Sequence, residues 1–246
     1  MGSMPTTTPL RVAIVKSYEL DEPKHRGMAL SFKENVLAYV PDAIVNIYRP
    51  LREEKLPNPE DYHLIIISGG LGNFCQDVYE PWVYTTLEWI REVVARQQVT
   101  RTRLVGVCWG HQAIAKALSG TIGMFEHPRV GVEELTLNEK GKQFFGKDKL
   151  KITKFHRRFV KDAPAGFKPL AHDNEILAAD SGLVLSFQGH PEIYGELTRQ
   201  FFEHDIAYYS ASFKTEEDLQ RYYAEMSSSR DDSKVIFSKL MAWAAS

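Results

Sequence analysis

A cysteine attacks as its thiolate, and the string Leu104-Val105-Gly106-Val107-Cys108-Trp109-Gly110-His111-Gln112 sets one cysteine where a thiolate is favoured. An apolar run leads into Cys108, helix-forming residues lead out of it, and Gly106 and Gly110 bracket it two positions to either side. This is the pattern of a nucleophile elbow, G-x-S-x-G with cysteine in place of serine. The glycines let the chain turn sharply and let the helix approach the strand without a Cβ clash. The positive end of the helix dipole then favours negative charge on sulfur. A thiolate also needs a proton shuttle for its leaving group. The string Ser186-Phe187-Gln188-Gly189-His190-Pro191-Glu192 supplies one, directly after the apolar run Leu183 to Phe187. Glu192 can reach back to the His190 imidazole, fix its tautomer and stabilise its charged form. Cys108, His190 and Glu192 are therefore the candidate catalytic residues.

Plainer readings compete with this one. Free cysteine is often just a small buried hydrophobe, and Cys75, in Asn73-Phe74-Cys75-Gln76-Asp77 with no elbow and no base, is read that way. His25, His63, His172 and His204 lack the setting of His190. No two histidines show the helix-face spacing of metal ligands, so neither a metal site nor a cofactor is expected.

These residues need elements to hold them. Arg11 to Val15, Ala43 to Tyr48, Leu64 to Ile67 and Leu104 to Val107 are apolar runs that read as strands. Met28 to Tyr39, a stretch beginning at Pro81, and Trp109 to Leu118 have helical spacing, the last ending at Ser119 and Gly120 in a left-handed cap. Leu51 to Asp61, with its prolines, reads as loop. The alternation predicts an α/β fold, a mostly parallel central sheet with helices on both faces. Its strand ends are where Cys108 and His190 meet. Beyond Gly120 the texture changes. Gly123 to Thr136, Leu150 to Phe155 and Ile176 to Phe187 are turn-punctuated runs that predict hairpins and antiparallel additions with few helices. Tyr194 to Tyr208, Thr215 to Met226 and Lys234 to Ala244 return to helical spacing, the last two around a polar break, Ser227 to Ser233.

The 246 residues are 43% hydrophobic, enough for a substantial core, and divide into a domain over 9–210 and a C-terminal helical extension over 211–246 packed on it. A net charge of −2 offers no basic face for nucleic acid. No apolar run is long enough to span a bilayer, so no membrane association is expected. Two cysteines make no disulfide framework and suit a reducing, cytoplasmic setting.

The two strings together, G-x-C-x-G-H-Q at 106–112 and G-H-P-E at 189–192, resemble a class I glutamine amidotransferase domain, with Ile67-Ser68-Gly69-Gly70 as a third matching element. The resemblance runs from about Arg11 to about His204 and implies a flavodoxin-like fold in which Cys108, His190 and Glu192 cleave a γ-glutamyl amide through a γ-glutamyl thioester. It gives the Ser68 to Gly72 turn a role as well: the backbone amides of Gly70 and Leu71, with that of Trp109, would form an oxyanion hole. Gln112 resembles a residue that helps seat the substrate, and His156 and Arg157 lie in the loop where family members carry a Ser-His-x-Asp-like string. This chain has Phe155-His156-Arg157-Arg158-Phe159 there. Either Glu133 or Glu134 meets the substrate's α-amino group, or the substrate carries an extra carboxylate for Arg157 or Arg158. The length leaves no room for a fused synthase. The resemblance therefore points to a stand-alone hydrolase, similar to γ-glutamyl peptidases. A subunit that feeds ammonia to a separate synthase and a regulatory binding protein with a vestigial triad are the alternatives.

Overall fold

Side chains of a strand point alternately to its two faces, so an unbroken apolar run feeds two cores at once. In the computed structural model, which describes residues 8–19, 27–70, 72–204, 206–209, 212–213 and 215–246, this is what β1 (Arg11–Ser17) and β3 (Leu64–Gly70) do. Val12, Ile14, Leu64 and Ile66 enter one core with Phe32, Val36 and Phe237. Ala13, Val15, Ile65 and Ile67 enter the other with Leu87, Ile90, Val93 and Ile114. The helices that supply these partners are α1 (Met28–Tyr39) and α8 (Arg230–Ala245) on one face, and α2 (Pro81–Thr100) and α3 (Trp109–Ala117) on the other. Proline fits the first turn of α2, where its missing N–H has no intrahelical partner to lose.

Parallel to β1 and β3 lie β2 (Ile44–Tyr48), β4 (Arg103–Val107) and β9 (Val184–Phe187). β8 (Ile176–Ala179) and β7 (Phe167–Pro169) extend the sheet antiparallel, giving the order β2-β1-β3-β4-β9-β8-β7. The α/β class, the mostly parallel sheet and the helices on both faces are as the sequence predicts. The first five positions follow the flavodoxin-like strand order. A separate antiparallel ribbon of β5 (Thr121–Thr136) and β6 (Lys149–Asp162) folds against the C-terminal edge of the sheet through a Thr153–His190 bridge.

Local details refine these expectations. The run Val184 to Phe187 is not only an antiparallel addition: β9 pairs parallel with β4 on one side and antiparallel with β8 on the other. A helix, α4 (Glu139–Phe145), links β5 to β6, its N-cap Asn138 accepting from the Gly141 amide at 3.0 Å. The stretch after Tyr194 is helical over α5 (Glu196–His204) and α6 (Ile206–Tyr209), as its spacing predicts. The polar break is shorter than expected, because α8 begins at Arg230. Asp231 and Asp232 sit in its first turn, where the helix dipole favours carboxylates, and Asp232 also accepts from the Lys151 amide at 2.7 Å. The helix α7 (Glu216–Glu225) is capped by the Thr215 hydroxyl. Ile236, Phe237, Leu240 and Met241 of α8 belong to the same core as β1.

Candidate active site

Three adjacent parallel strands, β3, β4 and β9, end at one edge, and each delivers one part of the site. β3 ends in Ser68-Gly69-Gly70, Cys108 follows β4 directly, and His190 follows β9. The Cys108 amide donates to the Phe187 carbonyl at 2.8 Å, tying the two strand ends together. Cys108 has φ 50 and ψ −101, a strained conformation for a residue with a Cβ, worth about 1–3 kcal/mol. The bracketing glycines make the elbow sterically possible. A Cβ on Gly106 would lie 2.6 Å from the Gly110 carbonyl oxygen, and one on Gly110 would lie 2.3 Å from that of Ile67.

His190 is buried, with Nδ1 2.8 Å from Glu192 Oε1, and Cys108 is near enough to add to the charge that acts on its ring. With Nδ1 taken by the carboxylate, Nε2 is the nitrogen left free for proton transfer. Burial opposes charge on this imidazole, yet Glu192 and Cys108 together outweigh it and raise the His190 pKa to about 10. The His190 amide donates to the Thr153 carbonyl at 2.8 Å, and a Cβ on Gly69 would come within 2.8 Å of His190 Cε1. The imidazole is thus held between the ribbon and the glycine turn. Glu192, fully buried, accepts at its backbone carbonyl from the Ser31 hydroxyl at 2.6 Å, while Oε2 has no partner among the described residues.

The ribbon closes the other side. Cys108 Sγ lies 3.9 Å from the Phe155 carbonyl. Gln112 donates from Nε2 to the Arg158 carbonyl at 2.9 Å and to Gln188 Oε1 at 3.2 Å. His156 Nδ1 lies 2.9 Å from that same Arg158 carbonyl. A carbonyl only accepts, so Nδ1 carries the proton and Nε2 is a bare acceptor; it is buried without a partner among the described residues. Burial first, then the Lys154 and Arg129 charges, hold the His156 pKa well below its ordinary 6.5. Arg157 donates from Nε to the Phe125 carbonyl at 3.0 Å, whereas Arg158 Nε is buried with no partner among the described residues. Glu133 is paired with Arg129 at 2.6 Å and Glu134 with Lys149 at 2.6 Å, so both carboxylates are already engaged. Of the residues expected to form an oxyanion hole, Gly70 and Trp109 sit at neighbouring strand ends, and Leu71 lies outside the described residues. Cys75, read as a buried structural cysteine, is exposed instead.

The profile of the class-I glutamine amidotransferases matches residues 28–207. The chain belongs to the class I glutamine amidotransferase family. It is 38% identical over 196 residues to the glutamine amidotransferase-like protein chry6 of Gibberella zeae, covering 79% of this chain and 81% of that one. To gamma-glutamyl peptidase 2 of Arabidopsis thaliana it is 28% identical over 164 residues, 62% of this chain and 61% of that one. A glutamine amidotransferase from Thermotoga maritima shares the fold with a TM-score of 0.78 at 17% identity, across 98% of this chain and 100% of that one.

This amidotransferase domain also holds polar residues that motif reading missed. Lys154 of β6 and Glu175, both buried, form an ion pair that Arg129 extends, with Arg129 Nη1 3.3 Å from Glu175 and Nη2 2.6 Å from Glu133. The Glu175 carbonyl accepts from the Gln188 amide at 2.8 Å, so this cluster is joined to the segment that carries His190. Its sequence signal was a lysine between Ile152 and Phe155, in a run otherwise suited to burial. His111, in the motif but without an assigned role, ties α3 to β9 through Nδ1 and the Ser186 hydroxyl at 2.8 Å; burial and the Lys154 charge lower its pKa to about 3. Among the described residues, no helix is long and apolar enough to cross a membrane.

Proposed function

We propose that this chain hydrolyses a γ-glutamyl amide, glutamine or a γ-glutamyl conjugate, through a thioester on Cys108. The observation that carries the reading is the strained Cys108 at the end of β4, beside a His190 whose charged form it stabilises and that is itself bound to Glu192. In this reading the thiolate attacks the γ-carbonyl carbon, and the backbone amides around Gly70 and Trp109 receive the oxyanion. His190 gives its proton to the departing nitrogen, the C–N bond breaks and the γ-glutamyl thioester remains. Water then attacks with His190 as base, the C–S bond breaks, and glutamate leaves. Glu192 holds the imidazolium in place throughout.

The test is to trap the thioester. With glutamine and hydroxylamine, the protein is expected to form γ-glutamyl hydroxamate at the expense of glutamate. Failure to form either product above a Cys108→Ala background, from glutamine or any γ-glutamyl conjugate, would sink the reading. If the role is to donate ammonia, adding the cognate synthase will raise glutamine turnover.

The α-amino group of the substrate is met, in this proposal, by His156 Nε2 rather than by a carboxylate, with the unpartnered Gln188 Nε2 and Arg158 Nε left as donors for the α-carboxylate. Arg157 positions the ribbon through the Phe125 carbonyl, and Gln112 positions Gln188. His156→Ala is expected to lower kcat/KM for glutamine about 10- to 100-fold, and to change that for glutaramate, which lacks the α-amino group, by less than about threefold. A base whose pKa is lowered stays neutral as pH falls through 6.5. The preference for glutamine over glutaramate should therefore be level between pH 8 and pH 6. A preference that falls with a midpoint near 6.5, or equal losses on both substrates, would show that His156 does not play this part.

A further inference from the structure

A groove of about 490 Å³ opens beside the glycine turn, between Ser17 and Tyr18 on one side and Phe74, Val78, Tyr79 and Trp82 on the other. It reaches the glycine turn at Gly72. Ser17 and Gly72 both line it, and the Ser17 carbonyl lies only 2.3 Å from where a Cβ of Gly70 would be. The turn thus touches His190 at Gly69 and enters the groove at Gly72, where a Cβ would come within 2.4 Å of Trp109 Nε1. The aromatic side is continuous with the nucleophile's own neighbour. Trp109 stacks on Phe74 with centroids 5.1 Å apart and tilts against Trp82 at 5.1 Å, and Phe74 meets Tyr79 edge-on at 5.6 Å.

Resting on the hydrolase reading above, we infer that this groove takes the amine half of the substrate and selects an uncharged aromatic or apolar group there. The leaving nitrogen must lie beside His190, which protonates it, so whatever it carries extends past the turn. The lining has the chemistry for such a group. No lysine or arginine is among the described lining residues, and two cations beside them are engaged by that lining, Lys16 over the Tyr18 ring at 4.7 Å and Arg52 with Glu19. The two lining carboxylates are occupied, Glu19 by Arg52 at 3.2 Å and Glu80 by the Trp82 indole at 2.7 Å. Val78 is 76% exposed at the rim, apolar surface that the fold itself does not use.

Two amides of comparable leaving-group basicity test this: γ-glutamyl benzylamide and γ-glutamylglycine. The protein is expected to show a kcat/KM about tenfold or more higher for the benzylamide. Val78→Glu, at a site too exposed to disturb folding, should cut that ratio about threefold or more, while Val99→Glu, at the exposed end of α2, should leave it unchanged. A ratio at or below one in the parent protein, or one that Val78→Glu leaves untouched, overturns the groove assignment while glutamine is still hydrolysed. Glutamate release from none of the three amides overturns the hydrolase reading and the groove with it.

Discussion

Cys108→Ala is expected to lower glutamate release about 10⁴-fold or more, equivalent to roughly 5.5 kcal/mol in the activation barrier, with the fold retained. Alanine removes the sulfur but keeps a Cβ at φ 50, so the backbone strain stays. Cys108→Gly removes both. It should be as inactive as the alanine variant yet more stable than the parent chain by about 1–3 kcal/mol, measured by urea unfolding. That pairing of lost activity with gained stability is what an elbow held for chemistry predicts, because relief of the strain at φ 50 outweighs the small apolar contact that Cys108 gives the core. Residual turnover within tenfold of the parent would move the nucleophile elsewhere. Cys75 is the other thiol in the chain, and it has none of the setting described for Cys108.

Lys154→Met should destabilise the protein by about 3–5 kcal/mol. Lys154 and Glu175 are each 2% exposed, so losing the lysine leaves a buried carboxylate without its nearest cation. Arg129, 3.3 Å from Glu175, keeps the loss toward the lower end of that range. Removing both charges in Lys154→Met/Glu175→Leu should recover most of the loss, since the penalty is for the unpaired charge rather than for the missing attraction. The Glu175 carbonyl holds the Gln188 amide, so the single variant should also show a kcat lowered beyond what its unfolded fraction explains. A destabilisation below about 1 kcal/mol would show that Glu175 is satisfied without the lysine.

The site divides between what short strings of residues express and what they do not. Gly106, Cys108 and Gly110 were readable because an elbow is a local device, with Gly106 packed against Gly110 within five residues, although Gly110 also makes room for Ile67 of β3. His190 and Glu192 were readable for the same reason, lying two positions apart and bonded to one another. His156 and Arg157 were placed by resemblance, and their partners, the Arg158 and Phe125 carbonyls, were not legible. The Phe125 contact depends on the register of β5 against β6, a pairing across a separate ribbon, whereas the Arg158 carbonyl lies two residues along β6 itself. Glu133 and Glu134 are each paired with a cation, Glu133 with Arg129 four residues earlier in β5 and Glu134 with Lys149 of β6, and only the second pairing needs the ribbon.

Composition and local pattern thus determined the α/β class, the elbow and the histidine-glutamate pair, because periodicity, glycine sterics and short-range bonding act within a few residues. The tertiary structure alone decided that β9 lies parallel beside β4, which brings His190 to Cys108. It alone decided that the ribbon folds over both and that a buried Lys154–Glu175 pair stands behind it. These depend on which surfaces meet when distant segments bury their apolar faces together. No single stretch of the chain carries that information.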